Sequence, residues 1–159
     1  MAERDFTPPV RRVDGGWALS FDDDERDLLV RLMGELRDLL SSGEPSPLLD
    51  RLFPTVYPDD AEKEAEYQRL MREELVTSRL ASIDTVRAAV APGGPEVLDE
   101  GQTLAFMQAI NAVRLVLGSM LQIDDDDEGE DVDDSPERHL YTFLSWVLEW
   151  TVRALSPTG

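Results

Sequence analysis

The residues most able to do chemistry sit together in one block, Asp124-Asp125-Asp126-Asp127-Glu128-Gly129-Glu130-Asp131-Val132-Asp133-Asp134, where nine of eleven positions carry a carboxylate. Helical patterns flank it, which invites a calcium reading. An EF-hand loop needs oxygen ligands at positions 1, 3 and 5, glycine at 6, an apolar residue at 8 and a bidentate glutamate at 12. With Gly129 at position 6, the first three ligands become Asp124, Asp126 and Glu128, but position 8 is Asp131 and position 12 is Ser135. The apolar anchor and the bidentate ligand both fail. Such a run of like charges repels itself and stays solvated. The expectation is a disordered acidic loop over 122–135 that holds no specific metal.

Other chemistry is sparse. Cysteine is absent, which excludes disulfides, thiol nucleophiles and thiolate metal sites. His139 is the single histidine; a general base or zinc site needs further partners, and a neutral surface histidine is the plainer reading. Pro92-Gly93-Gly94-Pro95 has neither the spacing nor the lysine of a phosphate loop. No nucleophile elbow occurs. The chain is therefore expected to be non-enzymatic and to hold no cofactor. An enzyme with an unrecognised site, or a structural subunit of a larger complex, are the alternatives.

Two features carry more information. Arg114 lies within Ile110-Asn111-Ala112-Val113-Arg114-Leu115-Val116-Leu117, at the edge of an apolar helical face. A buried arginine must be paired, because an unpaired buried charge costs several kcal/mol. The expected partner is an acid on the preceding helix, Glu73, Glu74 or Asp84; the other reading is an anion or partner site. The second feature is the last helix. Leu140, Leu144, Val147, Leu148, Val152 and Leu155 form one apolar sector, and Phe143, Trp146 and Trp150 form another. A helix apolar over that much of its circumference is buried on two sides. Either it is the central helix of the bundle, or its aromatic strip meets a homodimer mate or another protein, since aromatics are enriched in interface cores.

The elements that must position these residues follow from periodicity and punctuation. Val10–Val13 and Trp17–Phe21 flank Asp14-Gly15-Gly16, a hairpin signal. Trp17, Leu19 and Phe21 alternate and would share a face packed on the helices. Asp22, Asp23 and Asp24 can cap a first helix running to Ser41. Its Leu28, Leu29, Leu32, Met33, Leu36, Leu39 and Leu40 fall in one arc of about 140°. Prolines then surround Leu48–Phe53, read as one helical turn. Asp59 or Asp60 caps a long second helix towards Val90, with Thr77-Ser78 as the place for any bend. Asp99 caps a third, residues 100–121. Ser135-Pro136 opens the last, which reaches about Leu155. The fold is thus mainly α, a bundle of four main helices with a short N-terminal β-hairpin. It forms a single helical domain over 10–155, after a disordered or extended segment 1–9. Met33, Met107 and Met120 fall on core faces.

Composition bounds the partners. Thirty-four Asp and Glu oppose 15 Lys and Arg, for a net charge of −19. Lys63 is the only lysine. Such a field repels polyanions, so no direct contact with nucleic acid or an anionic membrane is expected, and a protein partner is the easier one. No apolar run approaches the ~20 residues of a membrane span, and the N-terminus has no signal core; cytoplasmic is the default location.

Glu73-Glu74-Leu75-Val76-Thr77-Ser78-Arg79-Leu80, Ala109–Gly118 and Tyr141–Leu148 resemble segments of an actinobacterial family catalogued as a domain of unknown function, which includes the AosR oxidative-stress-responsive transcriptional regulators. The hairpin and the acidic insertion also fit, from about Val10 to Leu155. The resemblance implies a regulatory, protein-binding role, with a sigma factor or RNA polymerase as partner. Those regulators are understood to sense oxidation through cysteines; without a cysteine, thiol redox sensing is impossible in this chain.

Overall fold

The computed structural model describes residues 6–42, 52, 55–121 and 135–157. Two strands, β1 (Val10–Val13) and β2 (Gly16–Leu19), precede four helices: α1 (Asp23–Ser41), α2 (Ala61–Val90), α3 (Glu100–Met120) and α4 (Pro136–Leu155). The mainly α architecture with an N-terminal hairpin is the one expected from the sequence. The predicted acidic loop 122–135 apart from Ser135, and the Leu48–Phe53 turn apart from the buried Leu52, lie outside the described residues.

Each helix starts where a side chain can satisfy its orphan amides. The Asp22 carboxylate accepts from the Glu25 amide while the Glu25 carboxylate accepts from the Asp22 amide. Asp99 and Gln102 make the same reciprocal pair on α3. Asp60 caps α2 and Ser135 caps α4, which has Pro136 in its first turn. Along α1, Leu29, Leu32, Met33, Leu36 and Leu40 are buried, at the spacing of one helical face. They meet Ile83, Val86 and Val90 of α2, Phe106, Ile110, Val113 and Leu117 of α3, and Leu144 and Val147 of α4 in one core.

The burial is unevenly spread along α2. Its buried residues are Ile83, Val86, Ala89 and Val90, all in the last third of thirty residues. The amino-terminal part projects with Leu70 65% exposed. By length and composition α3 could cross a membrane. It is instead the helix around which the bundle closes, in contact with α1, α2, α4 and β2.

The hairpin pairs Val10 with Leu19 and Val13 with Gly16, leaving Asp14-Gly15 as the turn, with Gly15 at φ 88°. Its other contacts were not legible in the sequence. Trp17 exchanges both backbone hydrogen bonds with Leu98, from the connection between α2 and α3, at 3.0 and 2.7 Å. The Trp17 indole N–H also donates to the Ala154 carbonyl oxygen at 2.8 Å. β1 and α4 lie side by side. The start, the middle and the end of the chain thus meet at Trp17.

The segment before the hairpin is placed from Phe6 onwards. Pro9 is buried, and its carbonyl accepts from the Ser20 amide at 2.9 Å. Within 6–9 the chain is neither helix nor strand, and only Pro9 of the four is buried.

Candidate functional site

The aromatic strip of α4 is the most unusual surface. Its other face, through Leu144, Val147 and the Thr151 methyl group, is fully buried. The Thr151 hydroxyl stays satisfied by donating to the Val147 carbonyl oxygen at 2.8 Å. Phe143 and Trp150 are partly buried, and Trp146 is 38% exposed. The rings continue one another from core to surface. Phe106 touches Phe21 at a centroid distance of 6.3 Å, Phe21 touches Phe143 at 6.4 Å, and Phe143 touches Trp146 at 6.2 Å. Phe6 then lies over Trp146 and Trp150 at 6.3 and 5.4 Å while itself 60% exposed. α4 is thus core along Leu144, Val147 and Thr151, while Trp146 of the aromatic strip and Val152 of the other apolar sector reach solvent.

Beside Trp150 a groove of about 450 Å³ runs between β1 and the last turn of α4, lined by Pro8, Arg11, Arg12, Trp150, Arg153 and Pro157 among others. Arg12 lies over the Trp17 ring at 5.4 Å, and Arg153 over the Trp150 ring at 5.2 Å. Arg153 also pairs with Glu149 at 2.9 Å, an exposed pair one helical turn apart. Neither Phe6 nor this arginine cluster was singled out in the sequence. The signal available was an adjacent arginine pair, Arg11-Arg12, in a chain otherwise dominated by acids.

Arg114 departs from expectation. Its guanidinium donates to the Tyr141 hydroxyl at 3.2 Å and to Asn111 Oδ1 at 3.0 Å, and it lies over the Tyr141 ring at 5.7 Å. Neither bond reaches Glu73, Glu74 or Asp84. The reason is competition. Asp84 faces α1, where Arg37 takes it at 2.9 Å. That bond holds the Asp84 carboxyl below its ordinary range and the Arg37 guanidinium above its own. Arg114 faces α4 instead, with its Nε buried and without a hydrogen-bond partner among the described residues. It is only partly buried as a residue, so aromatic and amide partners suffice.

The remaining candidates are dispersed. His139 is exposed in the first turn of α4. Met33 is fully buried, but Met120 is 56% exposed, because α3 outruns the core at its last turn. Among the described residues, no group of three or more acidic or histidine side chains is placed to hold a metal ion. The residues of the calcium alignment, Asp124 to Asp131, lie outside the described residues. A second cleft, about 300 Å³ between α2 and α3, contains Ser78, Arg79, Ser82, Gln108 and Asn111. Burial holds Arg79 below the usual arginine range there, and the carbonyl of Leu52 accepts from its guanidinium at 3.4 Å.

No curated protein and no solved structure matches the chain. A family model does match, over residues 6–155, that is, from Phe6 on the tryptophan strip to the last residue of α4. The chain belongs to that family, a domain of unknown function (DUF2017).

Proposed function

We propose that this protein is a non-enzymatic regulatory adaptor that binds another protein through the aromatic face of α4. The observation that carries this reading is the exposure of Trp146, 38%, on an aromatic strip over which the still more exposed Phe6 lies. Tryptophan is a preferred anchor of protein interfaces, because it buries a large area at little cost in side-chain entropy. An aromatic cluster with part of its surface still in water gains by burying it, at roughly 25 cal/mol per Å² before the costs of association. The resemblance to oxidative-stress regulators supports transcription as the setting, with a sigma factor or RNA polymerase subunit as partner. The −19 charge supports a protein partner over direct contact with DNA or an anionic membrane.

The test is affinity capture from the native host followed by mass spectrometry, with Trp146→Ser as the matched control. Recovery of sigma factor or polymerase subunits by the parent chain, and their loss with Trp146→Ser, supports the reading. Repeated recovery of some other complex, unaffected by Trp146→Ser, overturns it. Light scattering of the purified protein adds a further arm: a dimer dispersed by the same substitution makes a second copy the occupant of the strip.

A further inference from the structure

Resting on the adaptor reading, we propose that the groove between β1 and the last turn of α4 takes an extended, acidic segment of the protein partner, with Arg11, Arg12 and Arg153 meeting its carboxylates and Trp150 its apolar side chains. Charge placement is the first ground. In a chain with 34 acids and 15 bases, three arginines line one groove, no carboxylate is among its lining residues within the described chain, and only Arg153 of the three has an ion pair there, with Glu149. The groove gathers positive side chains in a strongly acidic protein. At physiological salt, exposed charges farther away than ~8 Å are largely screened, so a bound segment responds to these arginines more than to the distant acids.

Preorganisation is the second ground. Arg12 and Arg153 are held over indole rings, at 5.4 and 5.2 Å. A guanidinium resting on an aromatic face keeps N–H donors for a carboxylate, in Arg153 those that Glu149 does not take, and less side-chain entropy is lost when it binds. Arg11 is exposed, and among the described residues its side chain makes no ion pair or hydrogen bond. The walls that carry these groups are fixed to each other by the Trp17–Ala154 hydrogen bond.

Size selects the class of ligand. The four residues of β1 span roughly 13 Å, which suits an extended segment of about four residues. Double-stranded DNA presents a charge every ~1.7 Å, and its binding draws on some 6–10 phosphate contacts. Three arginines surrounded by an acidic surface cannot supply that. The groove also continues from the Trp146–Trp150 strip, so one partner can use both.

The test is fluorescence anisotropy with a short labelled peptide in which Asp and Glu alternate with Leu and Phe, beside the same peptide carrying Asn and Gln at the acidic positions. The 159-residue protein is expected to bind the acidic peptide at least about tenfold more tightly than the amide peptide, with a change in tryptophan emission. Arg11→Glu and Arg153→Glu should each weaken binding by about tenfold or more, while the melting temperature holds. Equal binding of the two peptides, or no loss with either charge reversal, overturns the proposal. So does a single-stranded oligonucleotide that competes as well as the acidic peptide, since the groove would then be a general anion trap. Partner capture that is lost with Trp146→Ser but untouched by Arg11→Glu would overturn the acidic-segment inference alone and leave the adaptor reading standing.

Discussion

The indole N–H of Trp17 donates to the carbonyl oxygen of Ala154 at 2.8 Å, across 137 residues of chain. Trp17 is buried at the centre of the hairpin, and Ala154 lies in the last turn of α4, where carbonyls have no amide of their own helix to accept from. One side chain therefore closes the helix end and seats the hairpin on α4.

Trp17→Phe keeps a ring in the site and removes the donor. It should cost about 1 kcal/mol, a fall in Tm of roughly 2–4 °C for a domain of this size. Trp17→Ala removes the ring as well and should cost about 3–5 kcal/mol. Scanning calorimetry of the two variants separates the bond from the packing. No loss in Trp17→Phe would show that the hydrogen bond contributes nothing.

Neighbouring glycines should respond in opposite ways. A Cβ on Gly16 would overlap the carbonyl oxygen of Leu98, which accepts from the Trp17 amide, whereas one on Gly15 would meet open space. Gly16→Ala must push the α2–α3 connection off the hairpin and should cost more than about 2 kcal/mol. Gly15→Asn places a residue tolerant of positive φ in an open turn and should cost less than about 1 kcal/mol. Urea unfolding of both variants checks the ranking.

The Arg37–Asp84 pair links stability to acid. Asp84 has its carboxyl pKa lowered, chiefly by the hydrogen bond from Arg37. A lowered folded-state pKa stabilises above the unfolded value of about 3.9, and that contribution is lost as pH falls through the folded value. Asp84→Asn should therefore separate from the parent at neutral pH and converge with it in acid. The effect should be small, because the pair is exposed to solvent. Carboxyl-resolved NMR titration should find the Asp84 midpoint below the ordinary aspartate range, and Arg37→Gln should raise it.

Arg114 should matter through its stem more than its charge. Its hydrogen-bond partners, Tyr141 and Asn111, are neutral. Arg114→Met keeps most of the packing and leaves no carboxylate among those partners stranded, so it should change stability by no more than about 1 kcal/mol. Arg114→Ala loses the packing too and should cost more. A loss above about 3 kcal/mol for Arg114→Met would point to a buried ion pair after all.

Much of the fold was legible because its causes are local. The apolar face of α1, the caps at Asp22, Asp60, Asp99 and Ser135, and the Asp14-Gly15 turn depend on residues within one or two turns of each other, so spacing and residue type suffice. The site was legible only in part, for the same reason. Phe143, Trp146 and Trp150 announce themselves by their spacing along one helix. Phe6 reaches them from more than a hundred residues away, and no periodicity connects the two. The acid partner expected for Arg114 is not the one it meets, because nothing in one helix says which neighbour an arginine turns to, nor that Arg37 takes Asp84.

Elements and their buried faces were thus determined by the sequence alone, through helical period, capping chemistry and turn residues. The tertiary structure decided what those elements meet: Trp17 with Leu98 and Ala154, Phe6 with the tryptophans, and Arg11 and Arg12 with Arg153 across one groove. Such contacts join residues far apart in the chain. They exist only once the packing of the helices has repaid the entropy of bringing them together.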